Sequence, residues 1–370
     1  MSQRIISFVV ATAMVFGAAS AVLAQGADLT ALKTRTSFGA AEEGQIAAGI
    51  KGEVDKVITG PDDVAASDGR DKLIKLVEDT GATAEFRIAA AKVIVTEIKP
   101  RLNLAVSHRN RLAAALVVSR MQNPESLEVL LKLLGEGKDG EPYASVRYWA
   151  AKALAGQTLI ESIRTGKGTT YAQPAVLQAL SAAAKRESSP IVAAELFNVL
   201  GAIQTEAAVD VLVAVVADRA RHYDLGQPAA ADAMKSAVSL LQEAYGRERR
   251  EASAGKQPII AAIVQILVRT PPHSLSGAGL DLLETLDAAL AKLTGEKTDL
   301  VAAIKEFRGL SQLGRTPQAI DVIFLQQLNW METLLKTTNK DVRLLSRPEV
   351  VKWTSKDSAE LLATLAKSGR

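Results

Sequence analysis

Three histidines are among the residues of this chain whose type could do acid–base or metal chemistry. His108 stands beside Arg109 and Arg111, His222 lies in Arg221-His222-Tyr223-Asp224, and His273 follows Pro271-Pro272. None has a second histidine at the helical spacing that a zinc site uses, and no nucleophile is paired with any of them by sequence. There is no cysteine, which excludes thiolate nucleophiles, thiolate metal sites, disulfides and lipid attachment through cysteine. Gly166-Lys167-Gly168-Thr169-Thr170 has the look of a phosphate loop. It lacks the chemistry: Glu161 stands where the motif needs glycine, Gly168 replaces the hydroxyl residue after the lysine, and a helical pattern precedes it instead of a strand. Asp62-Asp63 and Glu42-Glu43 lack the fixed spacing of a calcium loop. Arg247, Arg249 and Arg250 are interrupted by Glu248 and Glu251, which makes a solvated helix end and not a nucleic-acid site. Trp149, Trp330 and Trp353 are read as core or interface anchors.

The residues left for function are therefore contact residues. The stretch from Arg164 to Pro174 is expected to be a long loop between helices, either a solvated connector or a place for variable contacts. It supplies Arg164, Lys167 and Tyr171 as candidate partner-binding residues. His222 and Tyr223, at a helix end, complete the set, although a cation at a helix C-terminus also has a structural use in complementing the dipole. No catalytic, cofactor-binding or metal-binding residue is assigned.

These residues need elements to hold them, and the composition says which. Of 370 residues 48% are hydrophobic and only 4% aromatic, and alternating strand patterns are hard to find. Abundant alanine favours helices and lets them approach closely. Charge is nearly balanced, 44 basic against 41 acidic residues, and the signs are interspersed, unlike the concentrated patch of a nucleic-acid binder.

The N-terminus is read as an export signal. Arg4 precedes an uncharged, mainly apolar run from Ile5 to Val22, and Val22-Leu23-Ala24 offers a cleavage site. The alternative is an uncleaved anchor helix, since the run is nearly long enough to span a bilayer. Residues 25–69, with recurring glycines and the turn signal Gly60-Pro61-Asp62-Asp63, are expected to form a mobile, poorly patterned leader with one or two weak helices. From residue 70 to 270 the helix period is regular. Leu127, Leu130, Leu131 and Leu134 fall on one face, as do Val209, Leu212, Val213 and Val216. Breakers between such runs predict roughly a dozen helices of about 10 to 18 residues. Residues 271–279 are read as a linker, and 280–370 as a helical continuation or divergent cap.

One phrase recurs. Arg87-Ile88-Ala89-Ala90-Ala91-Lys92 matches Arg147-Tyr148-Trp149-Ala150-Ala151-Lys152, with a weaker copy at Arg111 to Ala115 and one lacking the arginine at Pro190 to Glu195. Phe86, Ala90, Val93 and Ile94 share one helical face, as do Val146, Ala150, Ala153 and Leu154. The phrase resembles HEAT-like repeats, including the short type of phycobilisome lyases. Ser145 to Gly156 fits the first half of that unit, and Ser189 to Asp218 almost all of it. The resemblance covers residues 83–245 and implies an all-α, armadillo-like chain: a right-handed α-solenoid of stacked antiparallel helix pairs. It also implies that Arg87, Arg111 and Arg147 tie neighbouring repeats. Irregular spacing and the loss of the arginine after Arg147 depart from the family pattern.

The functional expectation is a non-enzymatic scaffold, exported to the periplasm or beyond, that engages a protein or peptide along a repeat surface, without cofactor or nucleic acid. The alternatives are an envelope-associated structural protein held at its N-terminus and, by fold analogy, a lyase-like or chromophore-handling enzyme.

Overall fold

The computed structural model describes residues 29–135, 141–169, 171–247, 256–270 and 277–312, together with Ile323, Gln326 and Gln327. The expected signal segment, the helices expected near 317–337 and 356–367, His273, Trp330, Trp353 and most of the 247–251 basic cluster lie outside the described residues. Among the described residues the secondary structure is helical, with 14 α-helices and no strand. They are α1 (Ala40–Thr59), α2 (Asp63–Glu78), α3 (Ala84–Ile98), α4 (His108–Met121), α5 (Ser126–Leu133), α6 (Ala144–Leu154) and α7 (Gln157–Thr165). After these come α8 (Gln173–Arg186), α9 (Pro190–Ile203), α10 (Glu206–His222), α11 (Pro228–Arg247), α12 (Lys256–Arg269), α13 (Gly277–Thr294) and α14 (Leu300–Gln312). A 3-10 turn, Lys99–Leu104, follows α3.

The chain divides into two compact units. The first runs to Ser162 and includes Gly166–Thr170; the second takes Ile163–Thr165 and continues from Tyr171. In unit 1, α2 packs on α4 and α4 on α6, while α1 packs on α2 and α3. In unit 2, α9 packs on α11 and α11 on α13, and α8 on α10 and α10 on α12. Helices two apart in sequence thus lie side by side, and consecutive helices face each other. The apolar stripes explain this. Phe86, Ala90, Val93 and Ile94 are buried, as are Val146, Ala150, Ala153 and Leu154, and in unit 2 Val192, Leu196, Val199, Leu200 and Ile203. A helix with alanine in such a stripe buries little area itself but lets its neighbour's leucines and valines come close.

Helix starts follow local chemistry. The side chains of Asp62, Thr83, Ser107 and Thr205 accept the free N–H of Ala65, Phe86, Asn110 and Ala208 at 2.7, 3.2, 3.2 and 3.3 Å. Helix ends use the left-handed conformation at Gly166 and, at the cost of a Cβ in that region, at Gln122 and Gln204.

Three boundaries differ from expectation. The helices expected in the leader are not weak: α1 runs over 20 residues with Ile46, Ile50, Val54, Val57 and Ile58 buried, and residue 69 falls inside α2. Gly69 is there for close approach, since a Cβ on it would lie 2.6 Å from the Glu53 carbonyl oxygen and 2.8 Å from Lys56 Cβ. Gly277-Ala278-Gly279 is not linker but the first turn of α13, with Gly279 buried. The loop expected from Arg164 to Pro174 is shorter, because Arg164 lies in the last turn of α7 and Pro174 sits in the first turn of α8. It is also at this loop, and not at residues 271–279, that the chain passes from one compact unit to the other.

Candidate functional site

In unit 2 the last turn of α10 gathers two of the five candidate residues. Arg219, buried despite its charge, donates from Nη1 to the Glu187 carbonyl at 3.0 Å and from Nη2 to the Asp218 carboxylate at 2.6 Å. Its guanidinium lies over the Tyr223 ring, 5.6 Å from the centroid. The Tyr223 hydroxyl donates to the same Glu187 carbonyl at 2.8 Å. Burial pushes the Tyr223 phenol up to about 12. His222 is exposed, with Nδ1 2.8 Å from the Asp218 carbonyl oxygen and 3.6 Å from its carboxylate. Glu187 itself, buried in the α8–α9 connection, accepts the Ser189 N–H at 2.8 Å on its carboxylate and so prepares the entry into α9. A phenol kept protonated and a guanidinium committed to a carbonyl and a carboxylate make a clamp between α10 and the start of α9. Neither is poised to attack or to move a proton.

Arg164 and Lys167 are exposed, the first on the last turn of α7 and the second in the loop after it, and Tyr171 is half-buried just before α8. Gly166 and Gly168 take positive φ there. The Lys167 carbonyl accepts the Ser162 hydroxyl, which holds the loop against its own helix. Arg164 and Tyr171 belong to unit 2 and Lys167 to unit 1.

Unit 1 has a comparable cluster that the sequence reading did not single out. Glu141 is buried in the segment before α6. Its carboxylate accepts the Arg111 guanidinium from α4 and the Tyr143 N–H at 3.1 Å, and its carbonyl accepts Arg147 at 2.6 Å. Arg111 also donates to the Ala105 carbonyl at 2.8 Å. Two of the repeat arginines thus converge on one acidic residue and tie α4 to α6. Next to it, His108 Nε2 lies 2.7 Å from the Ser145 hydroxyl, and its ring packs on Tyr143 at 4.5 Å. Both His108 and Ser145 are exposed, and among the described residues no carboxylate is hydrogen-bonded to the imidazole. Glu141 and Glu187 share a signal open to a sequence reading: each stands two residues before the residue that caps the start of a helix, Tyr143 or Ser189, and accepts that residue's N–H.

No group of three histidine or carboxylate side chains that could hold a metal ion occurs among the described residues. None of the described helices is long and apolar enough to cross a membrane. Compared with protein-family models, curated proteins and solved structures, the chain matches none. The site must therefore be judged on its geometry. On that basis both clusters are ties between helices, and Arg164, Lys167 and the outer edge of His222 are exposed.

Trp149 supplies a further contact feature. It is half-buried on α6, edge-on to Tyr148 at 5.6 Å, with Lys152 Nζ 5.4 Å from the Tyr148 ring centroid and 5.1 Å from that of Trp149. Tryptophan, tyrosine and a cation in one place are the composition of protein contact points.

Proposed function

We propose that this chain is an exported, non-enzymatic binding scaffold, built as a right-handed HEAT-like α-solenoid, whose helical surface engages a protein or peptide partner. One observation carries the proposal. In each unit, helices two apart in sequence pack side by side, so every added pair lengthens a two-layered surface instead of closing a pocket. The recurring Arg-x-x-Ala-Ala phrase, with the buried alanines on the packed face, supports the HEAT-like reading. The commitment of Arg111, Arg147 and Arg219 to acidic residues and carbonyls of the adjoining connections supports it too, since such ties hold successive pairs in register. Contact residues on offer are Tyr148, Trp149 and Lys152 on α6, with Arg164, Lys167, Tyr171, His222 and Tyr223 as the candidates from sequence.

The test is a crosslinked capture of the tagged chain, residues 25–370, from its native envelope fraction, read by mass spectrometry. A reproducible, near-stoichiometric protein partner with crosslinks to exposed lysines such as Lys152 or Lys167 is the expected outcome. Retention of a small chromophore, visible in the absorption spectrum, with no protein partner would overturn the scaffold in favour of a ligand-handling protein.

A further inference from the structure

Helices α4 and α6 lie side by side in unit 1, and contacts at both ends fix which residues face each other across the seam. Near the helix starts, His108 Nε2 stands 2.7 Å from the Ser145 hydroxyl. Near the helix ends, the Gln122 amide donates to the Ala153 carbonyl at 3.4 Å, and the Gln122 side chain fills the space where a Cβ on Gly156 would stand. The two helices therefore run parallel. Side chains four apart lie one above the other on a helix. Leu112 thus follows His108 on the α6 side of α4, and Trp149 follows Ser145 on the α4 side of α6. Both border the seam one turn along from the His108–Ser145 contact. Both are half-buried, as are Leu116, one turn beyond Leu112, and Tyr148, beside Trp149. Aliphatic and aromatic surface is left open to solvent along the two helices.

Neither α4 nor α6 carries an acidic residue. Their arginines are engaged elsewhere. Arg109 and Arg120 stand 4.0 and 3.7 Å from Asp63 and Glu78 of α2, on the other flank of α4, while Arg111 and Arg147 reach Glu141. Lys152 is different. It is exposed, and among the described residues its ammonium meets only the Tyr148 hydroxyl, at 3.3 Å, and the rings of Tyr148 and Trp149. An ammonium has donors to spare after one such bond, and a hydroxyl that accepts from it still has its own proton to give. A carboxylate placed beside this pair would accept from both.

We infer that this seam takes an acidic segment of a protein partner. An aliphatic or aromatic side chain of that segment covers Leu112, Leu116 and Trp149, and a neighbouring aspartate or glutamate binds Lys152 and the Tyr148 hydroxyl. Tryptophan and tyrosine at the centre of a contact carry much of its energy, and a complementary charge selects the partner. A basic segment would bring like charge to Lys152 with no acid on either helix to receive it. The inference rests on the reading of the chain as a protein-binding scaffold and names the chemistry of the partner.

The probe is a displayed library of random dodecapeptides, selected on residues 25–370. Enriched sequences are expected to share an acid close to leucine, isoleucine, phenylalanine or tryptophan. Affinity for an enriched peptide, read by fluorescence anisotropy, should fall at least about tenfold in Lys152→Gln and in Trp149→Ala. Lys152 is exposed, so Lys152→Gln should keep the circular dichroism and unfolding midpoint of the parent, which separates a lost contact from a lost fold. In Lys152→Glu the preference should reverse: the peptide with its acid exchanged for lysine should bind better than the original. No enrichment, enrichment without an acid, or unchanged affinity in Lys152→Gln would each overturn the inference. So would self-association of the chain, seen by sedimentation velocity and lost in Lys152→Gln, which would give the seam to a second copy. A partner captured from the envelope fraction that binds both variants as tightly as the parent would overturn it too, while leaving the scaffold reading intact. Failure of the scaffold reading itself would show as no captured protein partner at all.

Discussion

At the residue scale, Tyr223 gives the most direct handle on the α10 clamp. Its folded value of about 12 stands above the roughly 10 of a tyrosine in an unfolded chain. A group whose value is raised on folding contributes its full share below the unfolded value and loses it as pH rises through the folded one. Stability should therefore decline between about pH 10 and pH 12 as this phenol resists ionising. In Tyr223→Phe that part of the decline should be absent. The same variant should cost about 1 kcal/mol near neutrality through the lost bond to the Glu187 carbonyl. Urea unfolding of wild type and variant at pH 7 and at intervals up to pH 12 checks both, and ultraviolet titration checks their premise: a Tyr223 that ionises with the other tyrosines in folded protein would refute the buried clamp. Glu141 makes a second case. Glu141→Ala removes the acceptor of Arg111 and of the Tyr143 N–H together and should cost about 2–3 kcal/mol in urea unfolding. Glu141→Gln keeps an acceptor for the N–H and should cost less than half of that. Equal losses would mean that the neutral acceptor contributes nothing and that the charge alone holds the tie.

Two glycines separate, at the scale of the element, what helix propensity does from what packing does. Gly52 in α1 is exposed and a Cβ there would meet nothing within 4 Å, so Gly52→Ala should stabilise by about 0.5–1 kcal/mol. Gly69 in α2 faces backbone of α1, and Gly69→Ala should destabilise by about 1–3 kcal/mol because the two helices must part. Opposite signs in paired urea titrations are the expected result; two stabilising substitutions would show that α1 and α2 do not pack this closely. The same glycines explain what the sequence hid. Helices such as α3 and α6 are legible because their apolar stripes are dense and their breakers stand outside them. In α1 the stripe Ile46, Ile50, Val54, Val57 is just as regular, but Gly44, Gly49 and Gly52 lie within it and were read as punctuation. The ties were hidden for another reason. Arg111 meets Glu141 across 30 residues, and Arg219 meets Glu187 across 32. Spacing along one helix cannot show a bond to the next connection. The clamp around His222 and Tyr223 was visible as a helix end, but not the buried Arg219 that organises it.

At the scale of the whole molecule, the proposal of an extended surface differs from that of a local site in how affinity divides. Each compact unit has its own set of buried helix faces, so residues 25–169 and 171–370 can be prepared as separate chains and checked for helical circular dichroism. If a captured partner runs along both units, each half holds part of the contact. Joining the halves then makes the second contact intramolecular, a gain worth on the order of 10²-fold or more without any new interaction. Each helical half should therefore bind the captured partner at least about a hundredfold more weakly than the whole. Isothermal titration with the whole chain and both halves measures this directly. A half that keeps the full affinity would place recognition in one unit, on a patch such as Tyr148, Trp149 and Lys152 or the His222 end of α10. The rest of the array would then be support for that patch and not part of the binding surface.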